Sequence, residues 1–564
     1  MWWRLDGCEG RVDRGTQGDG ETESRELVIE TTNMQQYELV ICGGMVVDGT
    51  GATPVRADVA IANGRIAVIG VFEPPEDTPV LDATGLVVAP GFVDIHSHSD
   101  FTLLVDPRAV SSITQGVTLE VVGNCGHGCA PIVNPELARM NIYGCQPDHE
   151  LSWRTMGEYL ARMDAGQPAV NVITLVPNGN LRLAVTGLVD RPAAPDEVRQ
   201  MKKLLAQSLE EGAWGFSTGL EYGPEQGCSE DEIVELCRVC AEHGGLYATH
   251  TRNRAGEARE TIAEAIRTSA QAKVPLQISH ISVVARLVEE SGWAVAQALE
   301  QVAAARQAGL DVRFDMHTRL FGTTNLSAAL PPALLEGSQA AIARRLREPS
   351  TQRAIRQYPS IINALARGDW GKIVLFNSKA HPTLRGRSLA EVSDQWQMDP
   401  YQTICELLLA ELDDLHSLMI LAFTYRAEDL RAAFEHPDCM VGSDATALAP
   451  DGPLANSAFH GAYTWAAWFF RHFVRERGVI TLQEAVRRLT SLPASRLGLT
   501  DRGVLKPGAW ADLAIFDPNT FGERGTTLEP NQPADGMVHV VVNGAVTLRD
   551  GQLTGDRNGR VLRH

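Results

Sequence analysis

The chain has 564 residues, 44% of them hydrophobic and 21% charged, which suits a soluble globular protein with one large domain plus a smaller one, or several. A net charge of −20 and a pI of about 5.2 argue against a nucleic-acid partner, since phosphate binders concentrate positive charge. No apolar run approaches the ~20 residues of a membrane helix, and ten cysteines behind an N-terminus lacking the apolar core of a signal peptide fit reduced thiols in the cytoplasm.

Residues 1–36 are polar and Gly-rich and are expected to form a disordered extension, with Met34 a candidate natural start. Short strands follow over Glu38–Cys42, Gly44–Asp48, Asp58–Ala62 and Arg65–Gly70, and Asn63-Gly64 predicts a hairpin between the last two. From Leu86 the rhythm changes. Candidate strands Leu86–Ile95, Val117–Val122, Val170–Leu175, Ala213–Ser217, Leu246–Thr249, Leu276–Ser279, Leu310–Asp315 and Cys439–Gly442 alternate with helical stretches such as Asp196–Glu211, Glu230–His243, Ala255–Ala272 and Trp293–Ala308. Such alternation implies a parallel sheet, and eight strands match a (β/α)8 TIM-like barrel, with an open doubly wound sheet as the other arrangement. The interval 316–438 is too long for one connection and should hold extra helices, for instance Pro331–Leu346 and Asp399–Glu411, in a lid-like insertion. Tyr463–Phe470 reads as a buried helix, and Cys237-x-x-Cys240 as helix packing. Strands return at Asp512–Phe516 and Val538–Val542, with a turn at Asn543-Gly544. The expected organisation is a small composite β-sandwich from 37–85 and 497–564 around a barrel at 86–496.

Catalytic groups of a barrel gather where its strands end. His96 and His98 leave the first strand one residue apart, a spacing that puts both imidazoles on one face; the pair is either a metal site or two polar residues leaving a strand. Cys125 follows the second strand, His250 ends the fifth, His280 the sixth, and Asp444 the eighth. Singly, His250 and His280 could be core histidines and Cys125 a small buried hydrophobe. Jointly they form the imidazole, thiolate and carboxylate set that zinc prefers.

At this point the chain resembles the amidohydrolase superfamily, and within it the N-acyl-D-amino-acid deacylases, over roughly residues 37–564. The resemblance rests on Gly91-Phe-Val-Asp-Ile-His-Ser-His98, Gly116-Val-Thr-Leu-Glu-Val-Val-Gly-Asn-Cys-Gly126, Gly215-Phe-Ser-Thr-Gly-Leu-Glu-Tyr222, Ala248-Thr-His250, Ser279-His280 and Gly442-Ser-Asp444. Arg385-Gly-Arg-Ser-Leu-Ala-Glu391, Thr490-Ser-Leu-Pro-Ala494 and Leu505–Leu513 reinforce it. It implies a distorted (β/α)8 barrel beside a β-domain made from both termini. It further implies a tighter zinc site of Cys125, His250 and His280 and a weaker one of His96, His98 and Asp444. Many superfamily members bridge two metals with a carboxylated lysine on the fourth strand; here no lysine lies between Lys203 and Lys273. Glu221 is either an added carboxylate for the site or a solvated or supporting group.

The implied reaction is hydrolysis of a non-peptide C–N bond of a small-molecule amide. Asp444 would take the proton from metal-activated water and return it to the leaving nitrogen. Tyr222 matches a tyrosine that binds substrate, or packs at the barrel mouth. Several positions depart from the subfamily. Ser282 stands where a lysine often holds the substrate carboxylate, Asp315-Met-His-Thr-Arg319 replaces Asp-x-Tyr-Pro-Tyr, and Asn456-Ser-Ala-Phe-His-Gly461 replaces Pro-His-Pro-Arg. Arg252, Arg254 or Arg319 would then supply the missing charge, unless each is a structural arginine. The substrate is thus an N-acyl-D-amino acid, another amide, a carbamate, or a cyclic imide of the hydantoinase or dihydroorotase kind. A non-catalytic scaffold is disfavoured because all six ligand-type residues are present.

Overall fold

The apolar run Leu86–Ile95 serves two sheets. In the computed structural model, which describes residues 36–145, 149–252, 258–281, 293–415 and 417–564, Val87–Pro90 joins a sheet built from both ends of the chain. Phe92–Asp94 opens a separate set of parallel strands. The break falls at Gly91, where a Cβ would lie 2.1 Å from Thr118 Oγ1. Only a residue without a side chain lets the backbone pass so close.

The terminal sheet has nine strands. Leu39–Val46, Val55–Ala62, Arg65–Gly70, Val80–Asp82 and Val87–Pro90 come from the N-terminal side, and Leu513–Phe516, Met537–Val542, Ala545–Arg549 and Gln552–Leu553 from the C-terminal side. The two sets meet where Leu513 pairs with Pro90 and Phe516 with Val87, antiparallel. The expected hairpin at Asn63-Gly64 is present, with positive φ (53° and 70°), and the turn expected at Asn543-Gly544 (48° and 89°) also joins two antiparallel strands. Side chains alternate between two cores. Val88, Leu513, Ile515 and Val541 pack with Leu39, Ile41, Val59 and Ile61, while Val87, Ala89, Ala514 and Phe516 join the barrel's main core.

The second set is a (β/α)8 barrel. Its parallel strands are Phe92–Asp94, Val117–Val122, a third broken at Leu175 (Asn171–Thr174 and Val176–Pro177), Gly215–Gly219, Leu246–His250, Leu276–Ile278, Val312–His317 and Cys439–Gly442. The third strand pairs with the second through its first half and with the fourth through its second half. A bridge between Ser97 and Ala445 links the first and eighth strands just past their ends. Helices Pro195–Glu210, Glu230–Glu242, Ala258–Ala272, Trp293–Gln307 and Ala427–Glu435 form the adjoining outer layer. Glu230–Glu242 starts where the Ser229 side chain accepts a hydrogen bond from Glu232 N. It buries Ile233, Leu236, Cys237 and Cys240, a helical-period stripe that accounts for both cysteines as packing residues.

Between the seventh and eighth strands an insertion carries the expected helices, as Gln339–Leu346 and Pro400–Ala410, the latter capped by Asp399. It also contains a three-stranded antiparallel sheet of Gly322–Asn325, Met419–Ala422 and Ile373–Asn377. Its own core includes Leu326, Ile355, Ile373, Leu375, Ile404, Leu408 and Ile420. The insertion places Gly322, Thr323, Thr324, Ile361 and Leu365 over the C-terminal ends of the barrel strands. Of the extension expected at 1–36, residues 1–35 lie outside the described residues. Among the described residues no helix is long and apolar enough to cross a membrane.

Candidate metal centre

His96 and His98 lie just beyond the first strand, Cys125 beyond the second, His250 at the end of the fifth, His280 beyond the sixth and Asp444 beyond the eighth. Cys125, His280 and Asp444 have left-handed backbones, with φ of 53°, 31° and 45°. Such conformations cost non-glycine residues on the order of 1–3 kcal/mol each and persist where the surroundings enforce them. Here His280 N donates to Asp315 Oδ1 (2.8 Å) and Asp444 N donates to His96 O (2.8 Å). Cys125 O lies so close to the fourth strand that a Cβ on Gly219 would sit 2.0 Å from it.

These turns aim four donor atoms at one another. His96 Nε2 lies 3.2 Å from Cys125 Sγ and 3.5 Å from Asp444 Oδ1, and His280 Nε2 lies 3.6 Å from Cys125 Sγ. All four ligand-type atoms fall within 4.8 Å of one another. His98 Nε2 flanks them, 3.2 Å from Asp444 Oδ1. His250 stacks edge-on to His280, with ring centroids 4.7 Å apart, but its Nε2 meets Glu221 Oε2 at 2.9 Å. The compact group therefore takes members from both of the sets expected from sequence, with Cys125 where they meet, while His250 is turned toward a carboxylate.

Two carboxylates fasten the imidazoles from behind. Asp315 Oδ1 lies 3.0 Å from His96 Nδ1 while also accepting from His280 N, and its Oδ2 accepts from Gln277 Nε2 (2.8 Å). One buried carboxylate thus ties the first, sixth and seventh strands together. Sequence reasoning left Asp315 out of the site, although it closes the seventh apolar run as His280 closes the sixth. Glu221 does the same for His250.

The charges in the cluster sustain one another. Burial opposes ionisation of the Cys125 thiol, yet the neighbouring His96 and His280 hold its pKa well below the usual thiol range. Asp444 is likewise opposed by burial, but His98, Arg319, His96 and His280 keep it well below the usual carboxylate range. Asp94, which accepts from Ser443 N and His96 N beneath the site, is pushed up to about 7 by burial and by Glu120.

Of the residues expected to bind substrate, Tyr222 lines the site cavity, its ring 4.9 Å from both His127 and His250. Arg319 does not reach the cavity as a free cation. Its buried guanidinium donates to Asp444 Oδ2 (2.7 Å), Asp444 O (2.9 Å), Ser443 O (2.9 Å) and His460 O. Arg252 is bound to Glu264, Gln226 O and Cys228 O, away from the cluster. Both guanidiniums are thus bonded to groups of the protein itself, with Arg319 Nε buried and without a hydrogen-bond partner. Ser282 and Arg254 lie outside the described residues. The site cavity adjoins a second chamber across Tyr143, Tyr222 and Thr324. The chamber walls include Met140, Leu183, Leu188, Leu330, Pro332 and Leu335.

The cluster fits a metal ion. A thiol, two imidazoles and a carboxylate at these separations suit tetrahedral bonds of roughly 2.0–2.3 Å. His98 Nδ1 and His250 Nδ1 are buried with no hydrogen-bond partner, a costly arrangement for a polar atom unless something else engages it.

Comparison with known proteins gives the family of the chain. Residues 79–352 and 427–548 match the amidohydrolase family. N-acyl-D-glutamate deacylase of Alcaligenes xylosoxydans xylosoxydans is 33% identical over 94% of this chain and 97% of its own length. The crystal structure of a D-aminoacylase superposes with a TM-score of 0.77 at 30% identity, covering 94% of this chain and all of that one. N-acyl-D-glutamate deacylase from Bordetella bronchiseptica, solved with zinc and a phosphonate inhibitor, gives the same score and coverage at 31% identity. The chain belongs to the amidohydrolase family and is a hydrolase of carbon–nitrogen bonds other than peptide bonds.

Proposed function

We propose that the protein is a zinc-dependent deacylase of N-acyl-D-amino acids or a closely related amide. The observation that carries this reading is the Cys125 thiol, 3.2 Å from His96 Nε2 and 3.6 Å from His280 Nε2, in a barrel whose fourth strand, Gly215–Gly219, has no lysine. The hydantoinase-like alternative would ordinarily need that lysine to bridge two metals. Cys125, His250 and His280 are the donors we assign to one zinc ion, and His96, His98 and Asp444 those for a second, weaker site.

When bound, zinc supplies a Lewis acid that polarises the amide carbonyl and lowers the pKa of water to roughly 7. Asp444 is held ionised by His98 and Arg319, so it is ready to accept the proton of the attacking water. It then carries that proton to the departing nitrogen as the C–N bond breaks, releasing a carboxylate and an amine. Tyr222, which lines the cavity, is the residue we assign to hold the substrate. The apolar walls of the adjoining chamber favour a substrate with an apolar substituent. The nine cysteines of the described residues are all free, in keeping with work in a reducing compartment such as the cytoplasm.

The test is a hydrolysis screen of zinc-loaded protein on N-acyl-D- and N-acyl-L-amino acids beside hydantoins, anilides and carbamates. Turnover of the N-acyl-D-amino acids is expected. Turnover confined to hydantoins, or to compounds without a carboxylate, would overturn the deacylase assignment.

A further inference from the structure

We infer that Glu221 is a positioning residue for the metal centre: its carboxylate fixes the His250 ring so that Nδ1 is the nitrogen presented to the metal. The inference rests on the zinc reading above and concerns a residue that reading does not use. An imidazole has two nitrogens, and in the neutral ring one carries hydrogen while the other carries a lone pair. Glu221 Oε2 lies 2.9 Å from His250 Nε2, and an ionised carboxylate can only accept. Nε2 is therefore the protonated nitrogen, and the lone pair falls on Nδ1. That atom is buried and has no hydrogen-bond partner. A buried acceptor left empty is costly, and a cation would satisfy it. Ligating histidines usually donate their second N–H to a carboxylate, which sets the tautomer and raises the basicity of the donor nitrogen.

The same device occurs once more in the site with the nitrogens exchanged. Asp315 takes His96 Nδ1 and leaves Nε2 facing Cys125 and Asp444. Two carboxylates, one behind each ring, thus determine which nitrogen each histidine offers. Glu221 is well placed for this work, since both partners are nearly inaccessible (side chains 7% and 2% exposed), so water competes little for the contact. Tyr222, the next residue, packs against the His250 ring at 4.9 Å and closes it from the side.

The experiment uses the full chain and zinc alone, with affinity read by competition against a chromogenic chelator. Glu221→Leu removes the acceptor and should weaken zinc binding roughly 10–100-fold, the usual loss when a partner behind a ligating histidine is removed. Glu221→Gln keeps a carbonyl oxygen for Nε2–H and should stay within a few-fold of wild type. Ring ¹⁵N shifts of His250 should report Nε2–H in wild type and in Glu221→Gln, and lose that preference in Glu221→Leu, a readout that a general loss of packing would not produce. Wild-type affinity in Glu221→Leu overturns the inference. So does an equal loss in both variants, which would make Glu221 a ligand through its charge. Failure of the wild-type chain to bind zinc would instead overturn the metal reading itself.

Discussion

Arg319 Nη2 lies 2.7 Å from Asp444 Oδ2, and the same guanidinium also caps the carbonyl oxygens of Ser443, Asp444 and His460. The left-handed turn that presents Asp444 is thereby held from below by one side chain. Gly461 makes room for it, since a Cβ there would lie 2.2 Å from Arg319 Nη1. Arg319→Met should remove this donor from Asp444 Oδ2 and from three carbonyls, leaving Asp444 Oδ1 with His98. Breaking a buried pair from one side typically costs about 3–5 kcal/mol. Urea unfolding should show a loss of that order, and kcat should fall in the protein that remains folded. Arg319→Lys should recover only part of each, because an ammonium cannot span four acceptors as a planar fork does.

Asp444→Asn separates metal binding from proton transfer. The amide keeps the size of the carboxylate and an oxygen for His98, but it cannot accept a proton. Zinc content should remain near wild type at the site assigned to Cys125, while kcat should fall about 10²–10⁴-fold, the range for a lost general base. Turnover close to wild type would remove Asp444 from the proton path.

Cys125→Ala tests the thiol directly. The assigned zinc site would lose its one sulfur donor and should lose most of its zinc on dialysis, measured by elemental analysis against unfolding-monitored controls. Unchanged stoichiometry would show that the imidazoles suffice without Cys125.

His460 gives a pH dependence away from the metal donors. Its ring is wedged between Phe321 (4.6 Å) and Phe376 (6.2 Å), and burial, with the nearby Arg319 charge, lowers its pKa from 6.5 to about 3. A base whose folded pKa is depressed stabilises the fold above its unfolded value and loses that contribution as pH falls toward the folded one. Stability should therefore decline from pH 6.5 toward pH 3, with a slope of up to about 1.4 kcal/mol per pH unit from this residue. His460→Phe should flatten that decline in denaturant titrations between pH 6.5 and 4.

The strand ends were legible because each polar residue follows a short β-branched run, and the parallel pattern puts all such ends on one side. That logic reached His96, His98, Cys125, His250, His280 and Asp444 and brought them to the same mouth of the barrel. It did not reach the contacts behind them. Asp315 follows the same rule, but nothing local says that one carboxylate serves two other strands. Arg319 was legible as a cation and not as a partner of Asp444, since a guanidinium two residues past a strand can turn outward or inward. The small sheet of Gly322–Asn325, Met419–Ala422 and Ile373–Asn377 escaped for a different reason. Its strands are four or five residues long and separated by dozens of others, so no hairpin signal announces their pairing. The run Leu86–Ile95 misled by being continuous, since hydrophobicity carries no mark where a chain passes from one sheet to another.

That passage has a mechanical consequence. At Gly91 the terminal sheet and the barrel share a backbone with no linker between them. Val87–Pro90 is pinned by Leu513–Phe516 on one side, and Phe92–Asp94 by Val117–Val122 on the other. A joint of one residue, clamped on both flanks, has no freedom to act as a hinge. Any force that peels the terminal sheet apart will therefore pull directly on the strand that leads into His96.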